Sequence, residues 1–153
     1  MFSKKELKVI KELIEKSQNS KIYLGSDSHR VNKNRVRYAT VVIIHFFNEN
    51  KIGKGAKVFH DIEFKDTKDA LLSKPFNRMM EEVSMVTRLY SSLEDVLILR
   101  DFEIHIDVNP DESAGSNVAF DSAKWTIFGL TGVEPICKPF AFAASCAADR
   151  YSK

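Results

Sequence analysis

The 153-residue sequence predicts a mixed α/β fold, an antiparallel meander followed by helices and strands in alternation around one sheet. Three observations carry that prediction. Strand-like runs at 22–24, 36–47 and 56–64 follow one another with short polar loops between them, which is how a meander reads. Beyond them, apolar positions recur at helical spacing over 76–93 and 118–130, with extended runs at 102–108 and 134–140 between and after. The run 36–47 (Val-Arg-Tyr-Ala-Thr-Val-Val-Ile-Ile-His-Phe-Phe) is too apolar for an exposed strand and suits a central one.

Length and composition narrow the field. At this length one domain, residues 1–153, is expected, with residues 1–20 as an N-terminal helical extension. Lys plus Arg number 23 against 21 Asp plus Glu, so a nucleic-acid partner would have to be met by a local basic patch rather than a global excess. Cys137 and Cys146 have neither Cys-x-x-Cys spacing nor a zinc-finger histidine companion, which favours reduced, packing thiols. Met1–Lys8 lacks the apolar core of a signal peptide, and no apolar run approaches the roughly 18 residues of a membrane span. A soluble, cytoplasmic protein without membrane contact is the expectation.

Taken in order, residues 4–16 place Leu7, Ile10, Leu13 and Ile14 on one helical face, with Ser3 and Glu6 spaced as a capping box. Ile22-Tyr23-Leu24 is a short strand running into Gly25-Ser26-Asp27-Ser28, where glycine would keep the approach to the acid open. Arg30–Arg35 is expected as a turn and 48–55 as a loop. Residues 66–74 are polar without strand pattern, and Pro75 suits a first helical turn. In the helix 76–93, Glu82 borders the apolar stripe, whereas Glu81 points further round, toward Ser84 and Arg88. Phe102–Val108 alternates cleanly, with Glu103, His105 and Asp107 on one face, and Asn109-Pro110 ends it. Trp125, Ile127, Phe128 and Leu130 are expected as core anchors of the helix 118–130. Two prolines assign 134–140 to a sheet edge. A small-residue helix closes the chain, with Ser145, Ala148, Asp149 and Ser152 on a common face.

Each acid has a plain alternative: Gly-Ser-Asp-Ser is also an ordinary strand-ending turn, Glu81 and Glu82 ordinary surface acids, and Asp149 a solvated tail residue. Their joint occurrence shifts the balance. Without the first helix, the element order is that of the ribonuclease H-like fold, a five-stranded mixed sheet flanked by helices. Local motifs agree. Gly-Ser-Asp-Ser at 25–28, Arg-Met-Met-Glu-Glu-Val at 78–83, Ile-His-Ile-Asp-Val-Asn at 104–109 and Ala-Ala-Ser-Cys-Ala-Ala-Asp-Arg-Tyr-Ser-Lys at 143–153 resemble the ribonuclease H-like family of bacterial and phage proteins typified by YkuK. The resemblance covers about residues 21–153 and implies four catalytic acids: Asp27, Glu82, Asp107 and Asp149.

Four carboxylates at one rim repel one another unless a cation binds among them. Hard Mg²⁺ or Mn²⁺ ions meet that need, and two of them would activate water and stabilise the leaving oxygen of a phosphodiester. In that scheme Asp27 bridges the metals, Asp107 and Glu82 complete one site, and Asp149 completes the other. His29 and His105 are additional candidate ligands, and imidazole would favour Mn, Fe or Zn. Ser26, Ser28, Arg30, Asn109, Arg150 and Lys153 are candidate substrate contacts. The basic stretch Arg30, Lys33, Arg35, Arg37 could meet a phosphate backbone or simply protect a solvated hairpin. The expected activity is metal-dependent hydrolysis of RNA, an RNA–DNA hybrid or structured DNA. The alternatives are a non-catalytic nucleic-acid or protein-binding module and a small-molecule metal phosphohydrolase.

Overall fold

Side-chain alternation along three long strands decides how the molecule is layered. The computed structural model describes residues 1–66, 74–113, 115 and 117–153. In it β1 (Ser20–Asn32), β2 (Arg35–Phe47) and β3 (Gly53–Asp66) form the antiparallel meander, and β4 (Phe102–Ile106) lies parallel to β1. The order across the sheet is β3-β2-β1-β4. The strands run further than the apolar runs alone suggest. Most of the expected turn at 30–35 is strand, and the reversal tightens to Lys33-Asn34, where the Asn34 N–H donates to Asn32 Oδ1 at 2.8 Å.

One sheet face packs on α1 (Lys4–Lys16) and α2 (Pro75–Leu97). Ile22, Leu24, Val42, Ile44, Ile104 and Ile106 meet Ile10, Ile14, Val83, Val86, Leu89, Leu93 and Leu97 in one continuous core. Each such buried side chain contributes about 1.5–3 kcal/mol. The sequence makes α1 this way from its first turn: the Ser3 hydroxyl accepts the Glu6 N–H, and the Glu6 carboxylate accepts the Ser3 N–H at 2.8 Å.

The opposite face carries Tyr23, Ala39, Val41 and Ile43 beneath Ala143 and Ala148. Those alanines belong to a π-helical segment, Ala143–Ala148, that continues as α4 (Asp149–Ser152). A Cβ built on Gly25 would lie 2.6 Å from the carbonyl carbon of Ala143. Gly25 therefore admits the backbone of the last helix, not a ligand, and the small-residue composition of that helix has the same cause.

Three expectations need correction. Among the described residues the sheet has four strands rather than five, because there 134–140 pairs with β4 only through a parallel bridge between His105 and Ile136. Ile136 N–H donates to the Ile104 carbonyl at 2.8 Å and Lys138 N–H to that of Val108 at 3.1 Å, while Pro135 and Pro139 flank these donors and have no N–H to give the ladder. The prolines thus sit at the edge, where a missing N–H costs nothing, and they stop the ladder from extending. Second, Trp125, Phe128 and Leu130 are 66%, 43% and 65% exposed, because α3 (Phe120–Thr131) buries only the stripe of Ala123 and Ile127. Third, the closing helix is π-helical in its first part. The polar stretch expected at 66–74 falls largely on 67–73, outside the described residues. Among the described residues no helix is long and apolar enough to cross a membrane.

Candidate functional site

Strand geometry sends the three members of Ser26-Asp27-Ser28 to opposite faces. Ser26 and Ser28 turn toward α2, where the Ser26 hydroxyl donates to the Glu82 carbonyl at 2.7 Å and the Ser28 hydroxyl to Glu82 Oε1 at 2.5 Å. Both hydroxyls expected to touch substrate thus fasten α2 to β1 at the position of its buried acid. Asp27 turns the other way, toward α4, and its Oδ2 accepts the Ser152 hydroxyl at 2.7 Å.

Asp27 and Glu82 are 7% and 5% exposed. Burial pushes the Asp27 carboxyl up to about 6; the Ser152 hydrogen bond opposes the rise, and the charges of Asp107 and Asp149 add to it. Glu82 is raised well above the ordinary carboxylate range, first by burial and then by the charge of Asp27, with Ser28 and Arg78 pulling it back and Asp107 pushing it up. Asp107 stands just past the last residue of β4, which runs beside β1 with Ile106 paired to Ser26. Asp107 thus adds to the charge felt by both buried acids, and Asp149 to that felt by Asp27.

The four acids are not equally placed. Asp107 Oδ2 lies 3.0 Å from Lys138 Nζ, while its Oδ1 is buried without a hydrogen-bond partner. Asp149 Oδ2 accepts from Lys153 Nζ at 2.7 Å, and its side chain is 33% exposed. Attraction to Asp149, then to Asp27 and Asp107, raises the Lys153 ammonium above its ordinary value. The Lys153 carbonyl in turn accepts from Arg37 at 2.6 Å, which ties the chain's last described turn to β2.

Around these acids the other expected site residues fall into place unevenly. His105 is fully buried with both ring nitrogens engaged: Nδ1 accepts the Ala143 N–H at 3.1 Å, and Nε2 meets Glu103 Oε2 at 3.0 Å. It anchors the π-helical segment and has no lone pair left for a metal. His29 and Arg150 are exposed. Asn109 Oδ1 accepts the Asp111 N–H at 3.0 Å, shaping the loop after Asp107. Arg30 lines a pocket of about 330 Å³ together with Lys74, Pro75 and Arg78, at the start of α2 and one helical turn from Glu82. Arg78 Nε is buried there without a hydrogen-bond partner.

Sequence reasoning gave Arg78 and Lys138 no role of their own, placed Ser152 only on a helix face beside Asp149, and named Arg37 only within the basic stretch. Arg78 was the most accessible of them, since it precedes Glu82 by four residues and so shares its helical face.

Donor chemistry favours a hard divalent cation, because the ligands on offer are carboxylate oxygens, one of them buried and unpartnered. Among the described residues, however, no group of three or more His, Cys, Asp or Glu side chains is gathered as it would be around a metal ion. Asp107 and Asp149 are turned to lysines instead, and a cation would have to compete with Lys138 and Lys153 for them.

No curated protein and no solved structure matches the chain significantly. A family model described as Ribonuclease H-like matches residues 6–153, almost the whole sequence. On that match, and with a mixed sheet flanked by helices, the chain belongs to the ribonuclease H-like family.

Proposed function

We propose that the protein is a metal-dependent nuclease that hydrolyses phosphodiester bonds of RNA, an RNA–DNA hybrid or structured DNA. The observation that supports this reading is the burial of two acids, Asp27 and Glu82, each raised in part by neighbouring acids: Asp27 by Asp107 and Asp149, Glu82 by Asp27 and Asp107. Burying like charges is costly, and a fold retains such a cluster where a cation or a proton can be exchanged there. Mg²⁺ or Mn²⁺ held by these oxygens would supply charge neutralisation and polarise water and phosphate. The chain's own residues would do the rest. Ser152 and Ser28 hold Asp27 and Glu82 in place, and Arg30, Lys74 and Arg78 offer cations to a neighbouring phosphate.

One observation favours the second reading, a binding module without turnover: Asp107 and Asp149 already have lysine partners. A small-molecule phosphohydrolase is the third reading, and the cationic pocket would serve a lone phosphate equally well. One experiment separates the three. Labelled single-stranded RNA, RNA–DNA hybrid, duplex DNA, a four-way junction and a generic phosphomonoester are incubated with Mg²⁺, Mn²⁺ or EDTA, beside Asp27→Asn. Metal-dependent cutting of a polynucleotide, lost in the variant, supports the nuclease. Nucleic-acid binding without cutting points to the module, and turnover of the monoester alone to the phosphohydrolase.

A further inference from the structure

The outermost strand of the sheet is β3. β2 lies on one side of it, and among the described residues no strand lies on the other. It runs 14 residues, contains no proline, and is exposed or half-buried along its whole length. Val58 and Phe64, on the face that also carries His60, are 37% and 47% exposed. An edge of this length presents a row of unpaired N–H and C=O groups, and soluble proteins ordinarily blunt or cover such edges. Here charge is segregated along it instead. Lys54 and Lys57 lie in the first half, and Asp61, Glu63 and Asp66 in the second. The exception, Lys65, is engaged by Glu81 of α2.

We propose that β3 pairs antiparallel with β3 of a second copy of this chain, about a two-fold axis at His60, making one continuous sheet twice as wide. A two-fold axis between identical antiparallel strands must run normal to the sheet, so each face continues into itself. With residue 60 opposite its own copy, Lys54 faces Asp66, Lys57 faces Glu63, Val58 faces Ile62 and Ala56 faces Phe64. These four pairs place like with like or charge with counter-charge on a common face, while Gly55 faces Lys65 and Phe59 faces Asp61. Centring on residue 61 instead would set Lys57 against Lys65, and centring on residue 59 would set Lys54 against Phe64 and Asp66 against Ile52. The favoured register is thus distinguishable from its neighbours.

Local contacts fit this pairing. Asp61 is already held by the Met1 amino group at 2.8 Å, so it needs no partner across the axis, whereas Glu63 stands 3.7 Å from that amine and is 34% exposed. His60 at the axis is braced by Tyr151, stacked on it at 3.8 Å. Because Asp27 and His60 both lie on the face covered by the last helix, the pairing leaves both copies of Asp27 on one side of the joined sheet.

The test is the oligomeric state of the full chain by sedimentation equilibrium from nanomolar to high micromolar concentration. Lys57→Glu, Glu63→Lys and the double exchange are run in parallel, with circular dichroism checking each fold. The parent is expected to dimerise, each single exchange to weaken the dimer about tenfold or more, and the double exchange to restore it. A parent that stays monomeric throughout overturns the proposal. So does a dimer indifferent to both single exchanges, or one that the double exchange fails to restore.

Discussion

The Ser152 hydroxyl donates to Asp27 Oδ2 at 2.7 Å across 125 positions of sequence, and it is the hydrogen bond that most offsets the burial of that acid. Ser152→Ala removes it while leaving the carboxyl buried. The Asp27 carboxyl is then expected to rise beyond about 6, moving the acid limb of any activity or metal-binding profile to higher pH. Leaving a buried acceptor unsatisfied also costs about 1–3 kcal/mol of stability. A pH profile of Mn²⁺ binding beside urea melts would check both; an unmoved profile would show that Ser152 is mere packing.

Asp27 itself should make the metal-free protein less stable at neutral pH. Its folded-state value, about 6, lies above the ordinary 3.8, so the folded chain binds more protons than the unfolded one in that window. Stability from this group is therefore greatest at low pH and falls as pH climbs from 3.8 through about 6. The full loss is about 2–3 kcal/mol. Asp27→Asn escapes it, so in EDTA the variant is expected to melt above the parent at pH 7 and to converge with it near pH 4. Added Mg²⁺ or Mn²⁺ should raise the parent's Tm and leave the variant's unchanged, the gain reaching about 2.7 kcal/mol at a hundred times Kd. A variant less stable than its parent at pH 7 without metal would contradict this account of the buried charge.

Gly25→Ala tests the contact between β1 and the last helix. The added methyl would meet backbone atoms of Ala143 and Ala144 at 2.6–2.8 Å, so the π-helical segment must move away. Overpacking of this kind costs about 1–3 kcal/mol. Since Asp149 and Ser152 ride on that segment, loss of metal affinity should accompany the loss of stability. Unchanged affinity in a destabilised variant would detach the site from the helix position.

The cationic pocket predicts a salt effect. Arg78→Ala should weaken nucleic-acid binding uniformly across sequences and reduce the slope of log K against log salt by about 1. It also removes a charge that holds Glu82 down, so the variant should shift the profile of metal binding to higher pH. Fluorescence anisotropy over a salt series reads the first effect, and an unchanged slope would remove the pocket from the substrate path.

Periodicity made most of this architecture legible. The meander, the capping box of α1, the existence of α2 and the inward lean of Glu82 all follow from spacing, because one buried face forces the pattern, although α2 runs on to Leu97 beyond the expected 76–93. What stayed hidden depends on partners distant in sequence. Ser26 and Ser28 look like site hydroxyls until alternation is followed to α2. His105 looks like a ligand until Ala143 is placed against it. Trp125 looks like core because composition alone cannot tell which side of a helix is covered. Gly25 was noticed for the right position and the wrong reason, since its neighbour is a backbone 118 residues away, not a ligand.

The order in which the acids occur along the chain has a consequence for synthesis. Asp27 is made early, yet β4 follows only after α2, and the helix bearing Asp149 and Ser152 comes after α3. A chain still on the ribosome can close its meander from local contacts, but the acid cluster must wait for these long-range ones. Until then Asp27 sits on an uncovered sheet face, open to water and free of the crowding that raises its proton affinity. The meander thus forms from contacts close in sequence, whereas the partners of Asp27 come from residues far along the chain.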